Sequence, residues 1–465
     1  MLSQTILDRF VSKCPGVLLV VATFEHLFQP QRLDRIFVET AKRQYHRDLL
    51  FSELVAVMNA VATRTHQSVH SAYQAHKKRL GVSSAALYAK LNHMEPQISS
   101  QIVRQTAIDA RAVIEAMPGG SLKILDGLRV YYLDGNHLAC TEHRPKVTRV
   151  TREGVLPGQS LALLDAQTGL VDQLILCEDG HSQERSMLPQ LLTLIDAGMT
   201  ICADRNFCTS MFLFGLADRG ATFVIRQHAS TLTYEEPTGK RRRIGRSKTG
   251  MMYEQTLELT HMGCNMSVRR ITVELDKPTG SGDQQIHILT NLKQEQATAV
   301  QVAEVYQTRW TIEGAFQQMT DVLCCEVRTL GYPKAALFAF AVAVLAYNTY
   351  AVVKAALRAA HGEKKIADEF SDYHLVNEVS QTYVGMRLIV EPQEWERYHG
   401  LNAIRMALQL IKLAEKIDLK RYPKKKRGPK KPRPANRKSG AKNHHVSTAR
   451  LLKAEKAKKR KIDTP

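Results

Sequence analysis

The sequence predicts an α/β fold preceded by a helical region, and three observations predict it. Residues 1 to 118 carry apolar side chains at three- and four-residue intervals, as in Leu49 to Ala62 and Ala107 to Met117, and stop at Pro118-Gly119-Gly120. From Ser121 the pattern changes to short apolar runs divided by turn residues, which is strand spacing. From Ala297 to Val322 it becomes helical again, without an internal proline.

Taken in order, the region 1–118 contains Lys77-Lys78-Arg79-Leu80-Gly81-Val82-Ser83, which reads as the end of one helix, a glycine turn and the cap of a second helix running to Leu91. That layout suits a DNA-binding helix-turn-helix or an αα-hairpin in a bundle. The runs Leu128–Leu133, Ser160–Ala166 and Leu170–Cys177 read as strands, the last two joined at Gln167-Thr168-Gly169. Met199–Ala203 is a fourth strand, Thr209–Arg219 a helix and Ala221–Arg226 a fifth strand, giving a mixed sheet over 119–227. Residues 228–286 alternate polar and apolar in Met251–Leu259 and Met266–Leu275, a β-rich insertion carrying the basic stretch Lys240-Arg241-Arg242-Arg243. The core resumes over 287–360, beginning with the strand Ile286–Leu289, and 361–418 is expected to be helical. Residues 419–465, rich in Lys, Arg and Pro, are expected to be a disordered basic tail.

With 465 residues and 44% apolar composition, the chain can bury a sizeable core in two or three domains. Its formal charge is +20, but Lys420 to Pro465 holds 19 Lys and Arg against Glu455 and Asp463, so +17 lies there and +3 elsewhere. A polyanionic partner is implied, met mainly by the tail, where Lys425, Lys426 and Arg427 are candidate phosphate contacts. Eight scattered cysteines suit reduced thiols rather than a disulfide framework; His137, Cys140 and His143 have zinc-like spacing but lack a fourth ligand. Two apolar stretches, Gly16–Phe24 and Ala335–Val353, read as buried helices rather than a signal peptide or membrane span.

The chemistry-bearing residues are acids at strand ends. Asp134 follows Val130-Tyr131-Tyr132-Leu133, and Asp204 follows Thr200-Ile201-Cys202-Ala203. Two carboxylates so placed can share hard divalent cations, Mg²⁺ or Mn²⁺, and two ions about 3.5–4 Å apart suit an in-line phosphoryl displacement. Alone, each acid is more often structural, Asp134 as part of an Asp-Gly turn and Asp204 as the cap of the next helix. Tyr306, Arg309 and Glu313 lie three and four residues apart, on one face of the expected helix. A carboxylate there completes a metal site, and the arginine fork can bond a phosphate.

The ordered set Leu133-Asp134-Gly135-Asn136, Ala203-Asp204-Arg205-Asn206-Phe207 and Tyr306-x-x-Arg309-x-x-x-Glu313 resembles the insertion-sequence-four family of bacterial DDE transposases over about residues 125 to 350. The resemblance implies a ribonuclease-H-like core interrupted by a β insertion, with Asp134, Asp204 and Glu313 as catalytic metal ligands. It also implies two Mg²⁺ or Mn²⁺ ions, cleavage at the element's ends, 3′-hydroxyl strand transfer into target DNA, and a homodimer on DNA. Tyr306, Arg309, Lys77, Lys78, Arg79, Arg241, Arg242 and Arg243 are further candidate DNA contacts, and a bacterial, nucleoid-associated cytoplasmic protein is expected. The sequence departs from the family pattern at Thr320, where the third motif carries a lysine. Two alternatives stay open: a metal-dependent nuclease without strand transfer, and a non-enzymatic DNA-binding regulator.

Overall fold

The computed structural model describes residues 6–44, 48–228, 232, 240–279, 282–425 and 445–462. Its strands are β1 (Arg129–His137), β2 (Gly154–Leu156), β3 (Gln159–Asp165), β4 (Val171–Cys177), β5 (Met199–Ala203), β6 (Thr222–Arg226), β7 (Arg242–Arg246), β8 (Gly250–His261), β9 (Cys264–Leu275), β10 (Gln285–Thr290) and β11 (His445–Ser447). Nine of them form one sheet in the order β4-β3-β1-β5-β6-β10-β9-β8-β7. β1, β5 and β6 are mutually parallel, and the other pairs are antiparallel. This is a mixed α/β sheet with flanking helices and a helical N-terminal region, consistent with a ribonuclease-H-like transposase fold.

The two faces of the sheet follow from strand alternation. In β1, Val130 and Tyr132 enter one core while Tyr131 and Leu133 enter the other. The second core is closed by the short helices Leu188–Leu192 and Ser210–Ala217. The first is larger and is organised around the helix Pro333–His361, 29 residues long. That helix is apolar and long enough to cross a membrane, but 94% of its most apolar stretch is buried against the rest of the chain. Its neighbours include Pro15–Leu27, Phe51–Ala62, Ser84–His93, Pro96–Glu115 and Ala403–Ala414.

The helices before the sheet therefore share a core with it rather than enclosing one of their own. Pro96–Glu115 lies along both Pro333–His361 and β4. Arg111 on this helix reaches Asp172 at 2.6 Å and the fully buried Asp165 at 3.4 Å, and Arg129 reaches Asp165 at 3.7 Å. Buried charges are tolerated only when paired, so this network fixes how the helical layer registers on β3 and β4.

The β-rich segment supplies β7–β9, and β9 pairs with β10 along Gln285–Thr290, so it lengthens the central sheet. Two expectations change. The expected helix Ala297–Val322 is two helices, Ala299–Thr308 and Thr311–Asp321. Thr308 and Thr311 hydroxyls donate to the Val305 and Thr308 carbonyls, competing locally with the helical ladder at the break. The basic tail is structured where it is described. β11 pairs in parallel with β2, and Thr448–Ile462 is helical. Its composition is too polar to fold alone, but docking on β2 supplies the missing partner.

Candidate active site

The site forms where β1 and β5 part. Their parallel register ends at Leu133↔Ala203, so Asp134 and Asp204 are the next residue on each of two adjacent strands. Parity puts both on the same face: Asp134 continues the series Val130 and Tyr132, and Asp204, with extended backbone, continues from Cys202. β1 itself runs on to His137 against β3, with Asp134 opposite Ala162. Asp134 is thus held inside a strand on one side and freed on the other.

The helix Ala299–Thr308 covers that face. Tyr132 Oη and Thr308 Oγ1 are 2.8 Å apart, which pins the end of this helix over β1. The break that follows turns Arg309 inward, where only 5% of the residue is exposed. Its Nη1 donates to Asp134 Oδ2 at 3.2 Å and its Nη2 to Glu313 Oε1 at 3.0 Å. Glu313, in the first turn of the second helix, has a half-exposed side chain, and Trp310 beside it is exposed. The guanidinium also lies 6.0 Å from the centre of the Tyr306 ring. The three motif residues are gathered around Arg309 rather than arrayed on one continuous helix face.

Electrostatics explain why the guanidinium sits there. Burial pushes the Asp134 carboxyl up to about 6; Arg309 and the Gly135 N–H pull it back, while Asp204 and Glu313 push it further up. Arg309 therefore compensates a concentration of negative charge. Asp204 turns its Oδ1 to the Asn206 N–H at 2.8 Å and caps the short turn Arg205–Phe207.

A fourth carboxylate, which no motif signalled, completes the surroundings. Glu184 Oε2 accepts from Asn206 Nδ2 at 2.5 Å, and Arg185 Nε donates to the Asn206 carbonyl at 2.5 Å. A side chain at position 135 would collide with the Glu184 carboxylate, which accounts for glycine next to Asp134. The pairing spans 22 residues of sequence and two loops, so its only sequence trace is the Gly135 and Asn206 of the strand-end motifs.

Asp134, Asp204 and Glu313 offer hard oxygen donors suited by chemistry to Mg²⁺ or Mn²⁺, with excess negative charge for a cation to balance. As the side chains stand, no group of three potential ligands among the described residues is gathered closely enough to hold an ion. Arg309 occupies the space between two of the three acids. The zinc-like spacing of His137, Cys140 and His143 forms no such group either; Cys140 Sγ instead lies 3.6 Å from His445 Nδ1.

The remaining expected DNA contacts are scattered. Lys77, Lys78 and Arg79 are exposed at the end of the helix Val69–Leu80, followed by Gly81 with φ of +64° and the helix Ser84–His93, capped by Ser83. The stretch at 241–243 is largely neutralised by its own sheet. Arg241 pairs with Glu274 at 2.7 Å and stacks 3.8 Å from the centre of the Tyr253 ring, and Arg242 pairs with Glu254 at 3.0 Å. Arg243 is exposed. Thr320 is exposed and bonds the Phe316 carbonyl. Lys425 is exposed; Lys426 and Arg427 lie outside the described residues.

Residues 129–349 match the protein family described as "Transposase DDE domain", a little under half of the chain and a span that includes all three acids. No curated protein matches. The family match supports a DDE transposase in general, a nucleic-acid-processing enzyme whose partner is DNA and whose relatives typically use divalent metal ions.

Proposed function

We propose that this chain is a DNA transposase of the insertion-sequence-four type, which cleaves at the ends of its element and joins the freed 3′-hydroxyl to target DNA. The observation that carries the reading is the convergence on one sheet face of Asp134 and Asp204, in adjacent register, with Glu313 tied to Asp134 through Arg309. These three acids would hold the divalent ions, whose chemistry when bound is to stabilise the attacking and leaving oxygens of an in-line displacement.

The chain's own residues do the rest. Arg309, already desolvated and forked, orients Asp134 and Glu313 and offers its planar donors to a phosphate oxygen. Exposed Trp310 gives a base a stacking surface at the rim. The turn after Asp204, held by Asn206 and Glu184, fixes the second acid against drift. The helix pair 69–93 and the basic segment after 419 supply DNA contacts away from the acids.

The test is strand joining. With Mg²⁺ or Mn²⁺, a labelled end fragment and plasmid DNA, the wild-type chain should give both nicked end and joined product. Asp204→Ala and Glu313→Ala should give neither while still binding the fragment. Nicks without joined product would reduce the reading to a nuclease, and full cleavage by either variant would remove the site assignment.

A further inference from the structure

The helix Thr448–Ile462 belongs to a segment whose composition predicts an unstructured tail, yet it is tied down at its base. β11 pairs residue for residue with β2, His445↔Gly154, Val446↔Val155 and Ser447↔Leu156. Gly154 leaves room there: a side chain would press on the His445 ring and the Cys140 thiol. One turn into the helix, Arg450 Nε donates to Asp179 Oδ2 at 2.6 Å, and its Nη2 donates to the His181 carbonyl. Thr448 is buried, and the helix packs against Lys146–Thr148.

The anchor lies at the end of the sheet from which the acids emerge. Gln159, which begins β3 opposite His137, donates from Nε2 to the carbonyls of Asp179 at 3.1 Å and Ser182 at 2.5 Å. The next residues of that loop are Gln183 and Glu184, and Glu184 holds Asn206 and covers Gly135. Beyond Leu452 the helix is mostly charged, with six cations between Lys453 and Lys461. Lys453, Lys456 and Lys459 follow one another at three-residue intervals and are exposed, and Glu455 is its one acid. Lys146, Arg149 and Arg152 on the neighbouring loop are exposed as well.

We propose that residues 445–462 form a latched DNA arm: β11 and the Arg450–Asp179 pair fix a basic helix beside the carboxylates, where it grips the phosphate backbone of duplex DNA. The partner follows from charge complementarity, since a helix with this density of cations, and with no exposed apolar stripe among its described residues, fits a polyanion. It differs from a freely swinging tail, which would add affinity without orientation. Here the arm and the loop carrying Glu184 share one anchor, so backbone engaged by the helix is presented at a fixed place relative to Asp134 and Asp204. The orienting role rests on the transposase reading; the grip on DNA does not.

Two measurements on the full chain test the two halves. For the grip, a fluorescent duplex of arbitrary sequence is titrated at several salt concentrations. Replacing Lys453, Lys456 and Lys459 together by Gln should lower the slope of log affinity against log salt by about 2–3, because each phosphate left without its cation removes roughly 0.9. An unchanged slope would overturn the arm. For the latch, Arg450→Glu should reduce divalent-dependent cleavage at least tenfold at chain concentrations that saturate the duplex with the variant, and adding Asp179→Arg should restore most of it. Cleavage unaffected by Arg450→Glu, or lost and not restored by the swapped pair, would overturn the latch. Thermal melts of each variant separate these outcomes from misfolding, and the swapped pair supplies the control if Arg450→Glu melts early. If the wild-type chain cleaves nothing, the transposase reading fails while the salt slope still decides the arm.

Discussion

Replacing Asp134 by Asn should make the metal-free protein more stable above neutral pH. The folded-state carboxyl titrates near 6 against an ordinary 3.8, chiefly because it is buried, so the native state binds its proton more tightly than the unfolded chain does. Stability from this group is greatest below about pH 4 and declines as the pH rises toward 6. At pH 8 the charged form costs at most about 3 kcal/mol. The side chain keeps 19% exposure, and screening by that water brings the expected gain to roughly 1–2 kcal/mol. Asn keeps the shape and an oxygen for the Arg309 Nη1 donor, and Arg309 retains Glu313, so no buried charge is orphaned. Melts in EDTA at pH 8 should place the variant roughly 1–2 °C above wild type, with the difference gone by pH 4. Millimolar Mg²⁺ should raise the wild-type midpoint by mass action and leave the variant where it was. A variant that melts at or below wild type at pH 8 in EDTA, or that gains as much from Mg²⁺, would refute both the charge argument and the place of Asp134 among the ligands.

Two further substitutions probe the surroundings. Gly135→Ala should displace the Glu184 carboxylate and release Asn206, so cleavage is expected to fall at least tenfold with a melting point within a few degrees of wild type; normal turnover would show that the Glu184 contact is dispensable. Thr320→Lys adds a cation at an exposed position already at the family's lysine spacing, and should raise the salt slope of end-fragment binding by about one unit, measured by anisotropy. No change would place position 320 away from the DNA.

The strands were legible because their side chains alternate with period two, and the run 128–133 ends where the charge begins. That same regularity made Asp134 and Asp204 readable as a pair. Glu313 was legible from its spacing to Arg309, but the break at 309–310 was not. It arises from threonine hydroxyls bonding back to the main chain and from the pull of Asp134 on Arg309, interactions absent from helix periodicity. The fusion of β7–β9 to the core was hidden for a different reason, since alternation marks a strand but not which edge it joins. Glu184, the Arg241–Glu274 pair and the joining of β2 to β11 are long-range pairings. A single chain read locally carries no sign of them, and composition argued directly against the last.

The buried helix Pro333–His361 has a consequence for how the molecule is made. More than 200 residues separate Glu115 from Pro333, so as the chain leaves the ribosome its first helices can close on one another and on β4, but they wait for the central helix of their shared core until nearly three quarters of the protein has been synthesised. Such late, distant pairings slow folding and leave sticky surface waiting. They also mean that the segment 129–349 is not a folding unit. Cut at those limits, the helix would end at Thr349, lose its last 12 residues and stand stripped of the helical layer that shields it. A soluble catalytic fragment would need to keep both the first 117 residues and the helices that follow residue 361.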